Sequence, residues 1–115
     1  MSIRTITLTD RPPVEIDEDH WPVVAGASQH DGKIEAQANR RGWVRVRAHA
    51  DGRYLVYAGS SSIWEGEPNR RAGSLVPDGA ANPGAVVEAI HAAAWAVGYP
   101  DLAAETIADL PAERI

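Results

Sequence analysis

Residues 42–59 read GWVRVRAHADGRYLVYAG. Arg45, Arg47 and His49 occupy alternate positions there, with Trp43 before them and Tyr54 after them. In an extended chain alternate side chains share one face, so this segment sets guanidinium groups among aromatic rings. Arg40, Arg41 and Arg53 stand nearby. Five of the eleven Lys and Arg residues fall between positions 40 and 53, opposed only by Asp51. Two chemistries are open to such a surface. Arginine beside an aromatic ring can stack on bases and contact phosphates, as in sheet-based single-strand binders. The same residue types also mark protein interfaces. The candidate partner-binding residues are Trp43, Arg45, Arg47, His49, Tyr54, Arg40 and Arg41. The plain alternative is a solvated sheet face, partly screened by the acids Glu15, Asp17, Glu18 and Asp19.

Other chemistry is thin. The chain has no Cys, which removes disulfides, thiolate zinc sites, iron–sulfur clusters and a thiol nucleophile together. GSSS at 59–62 is not a nucleophile elbow, since no helix follows a sharp turn there. The histidines at 20, 30, 49 and 91 have no two at metal-ligand spacing. His49 with Glu35 is a conceivable acid–base pair, but a lone His is usually structural. No Gly-rich phosphate loop followed by Lys and Ser or Thr is present. No catalytic residue, metal site or cofactor is expected.

These residues need elements to position them. A chain of 115 residues fits one domain, 1–115, and can bury enough surface to fold without metals or disulfides. Ile3 to Thr9 reads as a strand, stopped by DRPP. VEIDEDHWP reads as a solvated acidic loop. From Trp21 to Gly59 the turn residues suggest four strands. Asp31-Gly32 and Asp51-Gly52 suit two-residue type I′ hairpins, and NRRG at 39–42 suits a three-residue loop with Gly42 left-handed.

In that register Ala27 faces Ala36, Ala38 faces Val44, Ala48 faces Leu55 and Val46 faces Tyr57. The apolar face then carries Trp21, Val23, Ala25, Ala27, Ile34, Ala36, Ala38, Val44, Val46, Ala48, Leu55 and Tyr57. The polar face carries the arginine stripe with Tyr54 and Val56, placing Glu35 across from Arg47 and Gln37 across from Arg45. An exposed cross-strand pair of that kind contributes roughly 0.2–1 kcal/mol. Residues 60–82 suggest two short extended pieces around a turn at EPNRR, or a loop.

The C-terminus is helical. Asn82 is an N-cap, Pro83 the first position, and Val86, Ile90, Ala93 and Val97 recur on one face before Gly98. His91 lies one turn before Trp95. A shorter helix follows with Asp101 as its N-cap and Leu102, Ala103, Ile107 and Leu110 apolar, ending at Pro111. The expected fold is α+β: an antiparallel meander of about four to six strands with one long and one short C-terminal helix on one face.

Two stretches carry a resemblance: LTDRPPVEIDEDHWPVVA (Leu8 to Ala25) and QANRRGWVRVRAHADGRYLVYAG (Gln37 to Gly59). They resemble a group of small uncharacterised proteobacterial proteins, often carried by prophages and plasmids, that share an RPPV…WP start and a QANR…VR.H.DGR..VY centre. The likeness covers about a third of the chain. The group has no assigned activity, so it implies no catalytic residues. It implies a mobile-element setting, in which small acidic proteins often bind host proteins.

The net charge is −5, the wrong sign for a generic nucleic-acid binder. Lys33 is the only lysine beside many arginines and alanines. That balance reflects GC-rich codons and weakens arginine count as a functional signal. No run approaches the ~20 apolar residues of a membrane span, and the N-terminus lacks the apolar core of a signal peptide. The expectation is a cytoplasmic, non-enzymatic protein-binding or regulatory module, for example a mobile-element inhibitor of a host defence system. Its partner would be a protein rather than a membrane. A nucleic-acid binder using the same face is the alternative, and a His49 enzyme the third. An exposed edge strand or the Trp-bearing face could pair two copies as a homodimer.

Overall fold

The computed structural model describes residues 1–31, 39–64 and 66–112. Its elements run β1 (Ile3–Ile6), β2 (Val14–Asp17), β3 (Val23–His30), β4 (Arg40–Ala48), β5 (Tyr54–Ser62), β6 (Arg70–Val76), α1 (Pro83–Ala96) and α2 (Leu102–Asp109). All strand pairs are antiparallel, β1 with β2 and β3-β4-β5-β6 in sequential order. This is the α+β meander with two C-terminal helices that the sequence predicts, with one addition. The two-stranded β1–β2 ribbon covers the face of the large sheet that the helices leave open.

Alternation in β4 explains the layering. Val44 and Val46 point to the helices and have no exposed surface. They join Ala25, Val56, Ala58, Ala72 and Val76 against Val86, Ile90, Ala93, Ala94, Val97 and Leu102. The alanines on both sides let helix and sheet backbones approach closely. On the other face Leu55 and Tyr57 of β5 pack with Ile6, Leu8, Ile16 and Trp21. Strand β5 is therefore buried on both sides, as the run Leu55 to Ser60 records. Each fully buried Leu, Ile or Val contributes roughly 1.5–3 kcal/mol of apolar transfer.

The helix signals act as read. The Asn82 side chain accepts from the Ala85 amide, Pro83 opens α1, and Gly98 leaves it at φ 84°. Val86, Ile90, Ala93 and Val97 are buried. In α2, Leu102 and Ala103 are buried as expected, but Asp101 makes no side-chain cap. The Thr106 hydroxyl, also buried, donates to the Leu102 carbonyl at 2.7 Å. Asp109 accepts the Gly26 amide of edge strand β3 at 3.0 Å, which blunts that edge.

The strand register differs from the reading. Strand β3 pairs directly with β4, so Ala27 faces Val44, the partner assigned to Ala38. The expected strand at 34–38 and the Asp31-Gly32 turn involve residues outside the described ones, as does Glu35. Arg40, Arg41 and Gly42 are strand, not turn. Gly42 has no positive φ; a Cβ there would collide with the Tyr99 ring. A glycine serves close approach as readily as a left-handed turn, and here it serves the former.

The second hairpin does hold Gly52 at φ 97°. However, Ala48 faces Tyr54, leaving residues 49–53 in the loop, and Val46 faces Val56. Local bonds favour the longer loop. The Asp51 amide donates to His49 Nδ1 at 3.1 Å and the Arg53 amide to Asp51 Oδ1 at 3.1 Å. A shift of one residue exchanges the faces of a strand. Leu55 and Tyr57 thus join the arginine side, and Tyr54 and Val56 the helix side.

Two further segments are more ordered than read. The acidic stretch forms β2 through Asp17, and β5, which reaches Ser62, pairs antiparallel with β6, which starts at Arg70. Among the described residues no helix is long and apolar enough to cross a membrane.

Candidate binding face around Trp43

Trp43 sits on β4 directly across from Gly59 of β5, which in turn faces Arg71 of β6. A Cβ at Gly59 would fall 2.5 Å from Trp43 Cζ2 and 2.8 Å from Arg71 Nη1. The missing side chain is what lets the indole lie across the neighbouring strand. The Arg45 guanidinium carbon lies 5.8 Å from the indole centroid and that of Arg71 lies 5.6 Å away, both within cation–π range. Tyr57 meets the indole edge-on at 5.6 Å.

Arg47, next along the stripe, has a different task. It is 7% exposed. Its Nε donates to Tyr57 Oη at 2.8 Å, Nη1 to the Trp21 carbonyl at 2.9 Å and Nη2 to Glu18 Oε1 at 3.0 Å. The same Glu18 oxygen accepts from Arg4 Nε. The Arg4 hydrogen bond and charge, and the Arg47 charge, hold the Glu18 carboxyl below its ordinary range against the opposing effect of desolvation. Arg4 is raised in return, chiefly by that same bond. Arg4, Glu18 and Arg47 thus tie the β1–β2 ribbon to the large sheet.

Among the described residues Arg45 and Arg71 have no such acid. Among these residues Arg45 Nη1 donates to the Val44 carbonyl at 3.3 Å. Arg71 Nη1 donates to the Ser60 and Arg70 carbonyls at 3.2 and 2.9 Å. Neither has a carboxylate partner among the described residues. Trp43 and Tyr57 line two adjoining clefts of about 240 and 220 Å³. Arg45 and Arg47 open into the first, Arg71 into the second, and Arg4 into both.

The remaining expected site residues separate. His49 stands in the 49–53 loop, edge-on to Trp21 at 5.1 Å, its Nδ1 3.1 Å from Asp51 Oδ1. Tyr54 lies on the helix side, contrary to the reading, in the wall of an apolar cavity of about 480 Å³ with Val86, Val87, Ile107 and Leu110. Arg40 also points to the helix side, bonded to both Glu67 oxygens at 3.1 Å and 4.0 Å from Asp31. Arg41, half-buried, shares the face of Trp43 by register.

Sequence reading missed Arg4, Tyr57 and Arg71 as members of the face, and named Glu18 only within the acid cluster set to screen it. Only the correct β4–β5–β6 register brings Arg71 opposite Gly59. No local pattern announces that β1–β2 folds over the stripe. The larger apolar cavity is the default place for a small ligand, but its lining offers no acid or base. No three His, Asp or Glu side chains gather as metal ligands among the described residues. Set against protein-family models, curated proteins and solved structures, the chain matches none.

Proposed function

We propose that this protein is a non-enzymatic, cytoplasmic binding module that docks a protein partner on the face centred on Trp43. The observation that carries the reading is the pair Arg45 and Arg71, both at cation–π distance from one indole and without an acid partner among the described residues. Arginine and tryptophan in a shaped, partly desolvated recess are the residues on which interface energy concentrates. Arg47 supports the face from beneath and is not itself the contact. A nucleic-acid reading would use the same groups. The chain's net charge of −5 weighs against it, because a polyphosphate is repelled by the whole molecule as well as drawn to the face.

The test is affinity capture from nuclease-treated lysate by the wild type and by Arg45→Glu/Arg71→Glu, both first shown to be folded. The reading expects a protein captured saturably by the wild type and lost by the variant. Capture that is indifferent to the two substitutions would sink it.

A further inference from the structure

Resting on that docking reading, we infer that the partner element taken by the Trp43 face is an extended acidic segment. It presents two carboxylates, one to Arg45 and one to Arg71. The face already contains an example of this chemistry. Glu18 places one carboxylate oxygen between Arg4 and Arg47, so an acid from the β1–β2 ribbon occupies part of the basic surface. The two remaining guanidiniums flank the same indole and keep Nε and Nη2 out of any hydrogen bond with the described residues. A guanidinium at cation–π distance from a ring still has N–H groups to offer, and their fork geometry pairs with a carboxylate in two-point fashion.

The two adjoining clefts favour a chain over a single ion. Arg45 and Arg71 open into separate clefts that share the Trp43 wall, so one small anion does not fill both. An extended segment advances ~3.3 Å per residue with alternate side chains on one face. Acids at positions i and i+2 of such a segment lie on one face, about 6.6 Å apart along the chain, and can address both clefts. A flexible acidic side chain reaches the remaining distance, and the residue between them points away from the face.

Charge complementarity selects the occupant. Among the described residues, Arg4, Arg45, Arg47 and Arg71 with Glu18 give the face a positive balance on a molecule that is negative as a whole. A segment with two local carboxylates gains the attraction of the face. A long polyanion also meets repulsion from the rest of the surface.

The test uses a fluorescein-labelled peptide with alternating glutamates, its glutamine counterpart, and a single-stranded oligodeoxynucleotide, with binding read by anisotropy. The wild type is expected to bind the glutamate peptide saturably. Affinity should fall at least about tenfold for the glutamine peptide and for Arg45→Gln/Arg71→Gln. It should stay unchanged for Arg11→Glu, an exposed arginine ion-paired with Asp10. The Gln variant keeps most side-chain volume, and its near-UV circular dichroism guards against a folding artefact. No binding of the glutamate peptide, or equal binding by the Gln variant, overturns the inference, as does an oligonucleotide that binds while the peptide does not. If a captured protein still depends on Arg45 and Arg71 while the peptide neither binds nor competes, the acidic-segment inference fails and the docking reading stands. If capture is also indifferent to both residues, the two fail together.

Discussion

Arg45 and Arg47 are two residues apart on one strand face, yet burial divides their roles. Arg47 has donors on Tyr57, Trp21 and Glu18 and almost no water. Removing it leaves the buried Tyr57 hydroxyl and the Trp21 carbonyl without their donor and Glu18 with Arg4 alone. Arg47→Ala should cost about 3 kcal/mol in urea unfolding, whereas Arg45→Ala should stay within about 0.5 kcal/mol. Equal costs would refute the division of labour.

Glu18 supplies a second prediction at the same scale. Its folded pKa lies below its ordinary value, so the unfolded chain binds the proton more readily. Its stabilising contribution is complete above the unfolded carboxyl pKa, about 4.3, and is lost as pH falls through the lower folded pKa. Wild type should lose stability between about pH 5 and 3 more steeply than Glu18→Gln. Identical pH profiles would remove Glu18 from the account.

Among the elements, the helices were the most legible, because their signals are local. Asn82, Pro83 and Gly98 each act within one turn of where they stand. Asn82→Ala should lower stability by about 0.5–1 kcal/mol in denaturant titration. The alternation of Val44, Arg45, Val46 and Arg47 also exposed two unlike faces of β4 to sequence reading. Register was hidden. It depends on whether a glycine is needed for positive φ, as at Gly52, or for close approach, as at Gly42 and Gly59. Side-chain bonds from His49 and Asp51 lengthened one loop and so moved Tyr57 across the sheet.

Gly59 is the element-level test of the binding face. Gly59→Ala puts a methyl where the indole and Arg71 lie, so the ring must shift. A change in near-UV circular dichroism with a loss of about 1–3 kcal/mol is expected. An unchanged spectrum would mean that Trp43 does not rest on Gly59.

For the whole molecule, the decisive arrangement is a sheet covered on both sides. The helix core and the β1–β2 core meet at β5, where Leu55 serves one and Val56 the other. Neither cover can leave without exposing a strand that the other needs. The two cores should therefore unfold together, with far-UV dichroism and tryptophan fluorescence giving one transition. Separate transitions would mean that the ribbon folds independently. The ribbon was legible as strand at Ile3 to Ile6 but not as a lid. What it covers lies about forty residues away in the chain, beyond the reach of periodicity. By closing over Arg47 and leaving Arg45 and Arg71 open to two clefts, it converts a uniform stripe into a scaffold and a contact surface.

The most direct measurement takes thermal unfolding and partner capture on the same preparations of wild type and Arg45→Ala/Arg71→Ala. The account predicts an unchanged unfolding midpoint with capture abolished. A midpoint that falls as it does for Arg47→Ala, or capture that survives, would contradict the assignment of Arg45 and Arg71 to a partner rather than to the fold.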